Sequence, residues 1–415
     1  MTKDSRPMAQ ARPKSPRFSG RAVGCGFALL LVLAAGGAIL TWHLRKDPHG
    51  PILAVAPLGQ DLAVLRRGYA ERGYVHLLRW APDTRRPLWS EPLFGVEPAP
   101  ALTVSDDTIL LRAREARGHG EVHAFDGEGG FRWRGGRARQ EAPDGNPAFS
   151  AHPLALVGGV VFVPHASDPV EVVLLTVADG AEAARVELPA GEAERALIPF
   201  GDGIVLTSGD EVLRAIDRRG ALRDLGSAAG GWCVLAGQLY VGTTHGLLRL
   251  RAGAAEAERV LPGEAAVVAC GGNDADRLLL ADGRVLELGP DAPQERGVVE
   301  GLRARPTGQR VGGRFLVIQG ALLDLDTPAV VPLEGVDLRS AEVVADSPEG
   351  PVLRSGETLV QLATHRRAKV PGLRGARAGA QALWVWTDDD PFALDAATLA
   401  PRRTEDRTKV QPLEN

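Results

Sequence analysis

The sequence predicts an all-β chain closed into a β-propeller of about eight four-stranded blades, seven or nine being the alternatives, preceded by one N-terminal transmembrane helix. Three observations predict it. A strand-and-turn template recurs along most of the chain, glycine and proline punctuate it throughout, and a single uncharged apolar run stands near the start.

The template is a short apolar strand, a Gly or Asp turn, an alternating strand, a polar turn, a second alternating strand, then an Asp/Gly turn and a short exit strand. Its clearest copies begin at Phe200, Leu235 and Val311. The first turns fall near Gly59, Asp106, Gly158, Gly201, Gly237, Asp274, Gly312, Gly350 and Ala380, about 40 residues apart on average. Alternation with period two and turns every eight to twelve residues means antiparallel strands. Such a small sheet cannot bury both faces alone, so the copies must stack around an axis, and closing the ring removes open edges. Nine copies are counted. One of them reads equally as half a blade completed by the other terminus, so eight blades is the expectation.

Fifty glycines and thirty prolines in 415 residues agree with many short elements joined by turns. A formal charge of −4 argues against nucleic acid as a partner.

Residues 1–21 carry six basic residues against the single acid Asp4 and almost no large apolar groups, which predicts a disordered basic cytoplasmic tail. Within the span expected at 22–42, Val23 to Trp42 runs for twenty residues without a charge, long enough as a helix to cross about 30 Å of hydrocarbon. The basic excess before it places the N-terminus in the cytoplasm and the rest on the periplasmic or extracellular side of an inner membrane. A signal peptide cleaved near Ala35-Gly36-Gly37 is the alternative, weakened by Ile39, Leu40 and Trp42 continuing the run. Cys25 comes at the start of the run, where a lipoprotein cysteine would not stand. A linker at 43–50, a propeller at 51–403 and a disordered tail at 404–415 complete the expected organisation.

The segment EVHAFDGEGGFRWR, Glu121 to Arg134, resembles the blade motif of the pyrroloquinoline-quinone-like (PQQ-like) propeller repeats through Ala124, Asp126, Gly130 and Trp133. PFALDAATLAPRR matches its first half through Ala393 and Asp395. HLLRWAPDTRRPLW places Trp89 at the docking position, while Asp217 with Gly220, and Asp326, keep fragments. The resemblance implies a propeller and, for the enzymes of that family, an adjacent cysteine pair and calcium ligands. No two cysteines are adjacent here, so the implied type is a non-catalytic, membrane-anchored scaffold. The function expected is protein interaction, in envelope assembly with an envelope protein partner. A quinone-dependent oxidoreductase, or another propeller enzyme with its site in the central channel, is the alternative.

No catalytic, cofactor or metal residues are assigned. The chain has no Gly-Lys phosphate loop, zincin motif, nucleophile elbow or CxxC. Asp274, Asp276 and Asp282 suit turn chemistry better than calcium, and His119 with His123 suit ordinary surface positions better than a metal pair. Trp384 and Trp386 are read as packing between blades. Cys233 and Cys270, about one repeat apart, allow a cross-blade disulfide, with two small buried residues as the plainer reading.

If the template is a blade, the turns between second and third strands gather on one face. That face would collect Arg112, Arg114, Arg117, His119, His165, Asp168, Asp210, His245, Asp282, Gln319, Arg354, Asp388, Asp389 and Asp390. Basic in one sector and acidic in the other, it is the expected partner-binding surface.

Overall fold

A computed structural model describes residues 50–413 except 69–73, 85, 95, 116–119, 138–153, 166–169, 190–196, 208–211, 255, 272–275, 290–291, 303–310, 313, 348–349, 380–381 and 389. The basic tail, the apolar run Val23 to Trp42 and the linker as far as residue 49 lie outside the described residues. Among the described residues no helix is long and apolar enough to cross a membrane.

Nine consecutive antiparallel sheets make nine blades, not eight. Blade 1 pairs its strands in chain order: Ile52–Leu58, Asp61–Arg67, Tyr74–Ala81 and Arg86–Phe94. Blades 2 to 5 repeat that plan over 96–135, 155–187, 198–227 and 232–262. First strands of neighbouring blades touch one another and so face the axis. The last four blades depart from the plan at their edges. Blade 6 (267–298) takes a fifth strand, Val311–Gly312, which pairs in parallel with Val267–Gly271 and leaves three strands in blade 7 (315–331). Blade 8 (341–369) gains Gln411–Leu413 on its outer edge, and blade 9 (375–394) holds three strands.

The expected count fell short because, among the described residues, neither end of the ring lends a strand to the other. Each builds its own sheet, and the ring closes by side-chain packing. Ile52, Val55, Leu62, Val64, Leu78 and Trp80 of blade 1 pack against Trp384 and Trp386 of blade 9. Arg66 Nη2 donates to the Asp388 carbonyl (3.0 Å), and Arg377 Nη1 donates to the Val55 carbonyl (3.4 Å).

The C-terminal segment expected to be disordered forms a 3-10 turn, Thr404–Lys409, and then the outer strand on blade 8. Val410 enters the core between blades 8 and 9, and the Arg403 guanidinium bonds the Asp83 carbonyl of blade 1. Charged residues gave this segment a solvated look, but one apolar anchor and a free strand edge suffice to order it.

Every seam between consecutive blades holds its own buried apolar cluster. Between blades 2 and 3, Leu110, Val122, Ala124 and Trp133 meet Val161, Val163, Val173 and Leu175. Two tryptophans fasten such seams from the outer strand. Trp89 Nε1 donates to the Gly127 carbonyl and Trp133 Nε1 to the Val177 carbonyl, each 2.8 Å away in the turn after the third strand of the next blade. These turns need glycine. A Cβ on Gly129 or Gly180 would stand 2.7 or 2.5 Å from the docked indole, and both residues have positive φ.

Asp126 Oδ1 accepts the Glu128 and Gly130 amides, which shapes the turn that receives Trp89. Asp217 does the same for Arg219 and Ala221. In blade 7 the turn-forming carboxylate is Asp324, which accepts from Asp326 and Thr327, so the fragment read at Asp326 was displaced by two residues. Asp326 instead pairs with Arg277 of blade 6.

Cys233 and Cys270 are disulfide-bonded, with Cα atoms 6.2 Å apart, joining the inner strands of blades 5 and 6. Successive blades repeat the same inner position, which is why one repeat of separation brings the two sulfurs together. Closing a loop of 37 residues restricts the unfolded chain by about 4 kcal/mol on the entropic account.

Trp133→Ala is expected to lower unfolding free energy by about 3–5 kcal/mol in urea titrations. Trp133→Phe, which keeps most apolar area but loses the indole donor, is expected to cost about 1 kcal/mol. Equal, small losses for both would mean that the dock is not a seam fastener.

Candidate functional site

The described residues among those expected on one loop face fall at or beside the connection between second and third strands, as the template requires. Their surroundings differ. Arg112 and His165 sit near the ends of second strands and are 1% exposed, so they do not belong to an open binding rim. Arg112 Nη2 bonds the Pro164 carbonyl of blade 3, and His165 Nε2 donates to the Gly136 carbonyl of blade 2 at 2.5 Å. Both serve the seam between blades 2 and 3. Arg66 has the corresponding place in blade 1 and reaches blade 9. Strand periodicity located these side chains, but it could not show that a neighbouring blade's carbonyl would meet them.

Six described members are exposed or partly exposed and are charged or polar. His245 lies in the two-residue turn after Gln238–Thr243, its amide bonded to Thr243 Oγ1. Asp282 caps its own turn through the Arg284 amide and pairs with Arg284 Nε at 2.6 Å. Arg354 pairs with Glu342 at 2.9 Å. Asp388 makes a two-pronged contact with Arg374 (2.8 and 2.9 Å), and this hydrogen bonding holds its carboxyl below the usual carboxylate range. Asp390 stands 3.5 Å from Arg66, and Gln319 turns outward at φ +52°. Nearly every charge described here has a partner of opposite sign, which reduces the sector contrast that charge counting predicted. Arg117, His119, Asp168, Asp210 and Asp389 lie outside the described residues, as does the Arg114 side chain.

Beneath that face, blades 2 and 3 bury a polar cluster. Glu121 Oε1 lies 2.6 Å from His123 Nε2, and the bond holds the Glu121 carboxyl low. Glu171, 2% exposed, pairs with Arg185 at 2.6 Å. His123 is therefore engaged within its own blade. Among the described residues no group of three or more His, Cys, Asp or Glu is placed to hold a metal ion.

The opposite face carries the turns between first and second and between third and fourth strands. Here the seam between blades 9 and 1 opens into a cleft of about 330 Å³. Trp384, Pro391, Phe392, Ala382 and Pro82 give it an apolar lining, and Gln60, Asp83, Arg402, Arg403 and Asp406 give it a polar rim. The rim charges are partnered: Arg403 with Asp83, and Asp406 with Lys409 at 3.7 Å. Lys409 also lies over the Phe392 ring, 5.2 Å from its centre. Trp384 and Trp386 pack between blades as expected, but sequence reasoning missed the cleft. A signal was present. PFALDAATLAPRR matches the repeat in its first half and has Arg402 where the second half calls for tryptophan.

Burial, with Arg112 close by, lowers the pKa of His165 from 6.5 to about 3, so the fold holds a neutral imidazole. Between those values the unfolded chain binds a proton that the native chain excludes. The contribution to stability is complete above pH 6.5 and is lost as pH falls toward 3. Acidification from pH 7 to 5 should remove on the order of 2 kcal/mol through this residue. Denaturant midpoints at the two pH values should differ less in His165→Gln than in the unaltered chain, and an unchanged difference would contradict the assignment.

No protein-family model and no curated protein matches this chain. Among solved structures, it is similar to BamB from Moraxella catarrhalis at a TM-score of 0.44 and 14% identity, covering 82% of this chain and 95% of that one. It is also similar to the computationally designed Ika8 protein at a TM-score of 0.37 and 14% identity, covering 67% of this chain and 94% of that one.

Proposed function

We propose that the chain is a protein-interaction scaffold, a rigid propeller presented outside the cytoplasm by the anchor Val23 to Trp42 and serving envelope assembly. The observation that carries this reading is how the ring uses its polar residues. Arg66, Arg112, His165 and Arg277 are buried in bonds between blades, while the exposed charges stand on short turns of a fixed frame. Such a frame offers many fixed contacts of mixed sign, which suits oriented docking of a protein. The Cys233–Cys270 disulfide supports an oxidising compartment, and the uncharged run of twenty residues supports attachment to the membrane. The resemblance of Glu121 to Arg134 to PQQ-like repeats agrees with this architecture and leaves function to the surface.

Photo-crosslinking residues placed singly at His245, Asp282 and Arg354 of the full-length chain in its native cells test the reading. A dominant envelope protein captured from these positions, with the chain in the carbonate-resistant membrane fraction, is the expected result. Crosslinks confined to the ring itself, or a chain released by carbonate, would overturn the reading as stated.

A further inference from the structure

We propose that the cleft between blades 9 and 1 receives an aromatic side chain, tryptophan by preference, from a partner polypeptide. This rests on the protein-interaction reading and specifies one contact within it.

In blades 1 and 2 the outer strand sends an indole, Trp89 or Trp133, onto the turn after the third strand of the next blade. The indole fills the seam and gives its N–H to a backbone carbonyl. Trp133 stands opposite Ala124 in its hairpin. In blade 9 the residue opposite Ala393 is Arg402, whose amide donates to the Ala393 carbonyl. The indole is therefore missing at the place where the cleft opens.

A second seam supports the comparison. Blade 4 has Arg223 on its outer strand, donating to the Ala254 carbonyl in the turn of blade 5 at 3.1 Å, and a cleft of about 230 Å³ lies there. Its lining combines Gly201, Gly203 and Gly253 of the turns with Phe200, Ile204 and Ile216. The cleft at the ring closure is larger and has the aromatic surfaces of Trp384 and Phe392. On its rim Arg403 pairs with Asp83, and Asp406 pairs with Lys409, so a neutral apolar group with one donor suits it better than an ion. A single aromatic anchor in a preformed pocket is also the contact that contributes most per residue in protein interfaces.

Two measurements on the full chain test this. N-acetyl-L-tryptophanamide, titrated as a probe, should bind with a dissociation constant of about 1 mM, at least about tenfold tighter than N-acetyl-L-leucinamide. It should perturb Trp384 fluorescence or its indole NMR signal. Arg402→Trp, which supplies the indole in cis, should abolish probe binding and raise the Tm. Equal affinity for the two probes, or full binding in Arg402→Trp, would overturn the proposal, and the probe comparison needs no variant to fold.

The second measurement places a photo-crosslinking residue at Gln60 in the native cells. Capture of a partner through a segment containing an aromatic residue, lost in Arg402→Trp, is expected. Capture from His245 or Asp282 but none from Gln60 overturns this inference and leaves the scaffold reading standing. No capture from any position removes both.

Discussion

Packing of each blade on the next is the constraint from which the rest of this structure follows. A sheet of three to five short strands has two faces and cannot bury both by itself. Here each face is covered by a neighbour, and every one of the nine seams has its own apolar cluster. With about 1.5–3 kcal/mol for each large side chain fully buried, one seam outweighs any surface ion pair in the molecule. The tryptophan docks, the turn carboxylates and the glycines under the indoles refine this packing.

Ring closure is the seam that sequence order leaves unprotected. Among the described residues blades 1 and 9 share no strand, so no backbone ladder joins them. Closure relies on the Trp384–Trp386 contact with blade 1 and on long arginines bonding carbonyls across the gap: Arg66, Arg377 and Arg403. The C-terminal segment adds to this by running from blade 9, past its 3-10 turn, to the edge of blade 8. Pro412 lies in that last strand, and its missing N–H keeps the new edge from recruiting a further strand. This closing seam also holds the cleft of about 330 Å³ lined by Trp384 and Pro82.

Much of the fold was legible because turns impose local rules. The first turns at Gly59, Gly158, Gly201 and Gly237 all have positive φ, and Asp106 adopts it without glycine. The spacing of Cys233 and Cys270 pointed to equivalent positions in adjacent blades, where the disulfide is found. What the sequence could not show was any contact made by the neighbouring copy. Arg112 and His165 read as loop residues because strand alternation says nothing about the carbonyls of the next blade. Asp326 read as the turn former because Asp324 and Asp326 differ only in what meets them. The blade count erred for a related reason: whether the last copy stands alone depends on packing at closure, and no local pattern encodes that.

Native-state hydrogen exchange across the ring would show which seam opens first. If side chains alone close the seam between blades 9 and 1, amides in Asp61–Arg67 and Leu383–Trp386 should open together. They should do so at a lower free energy than those in Trp232–Leu235 and Val267–Gly271, which the disulfide joins. Opening that begins at blades 5 and 6, or independent exchange of blades 1 and 9, would contradict the account.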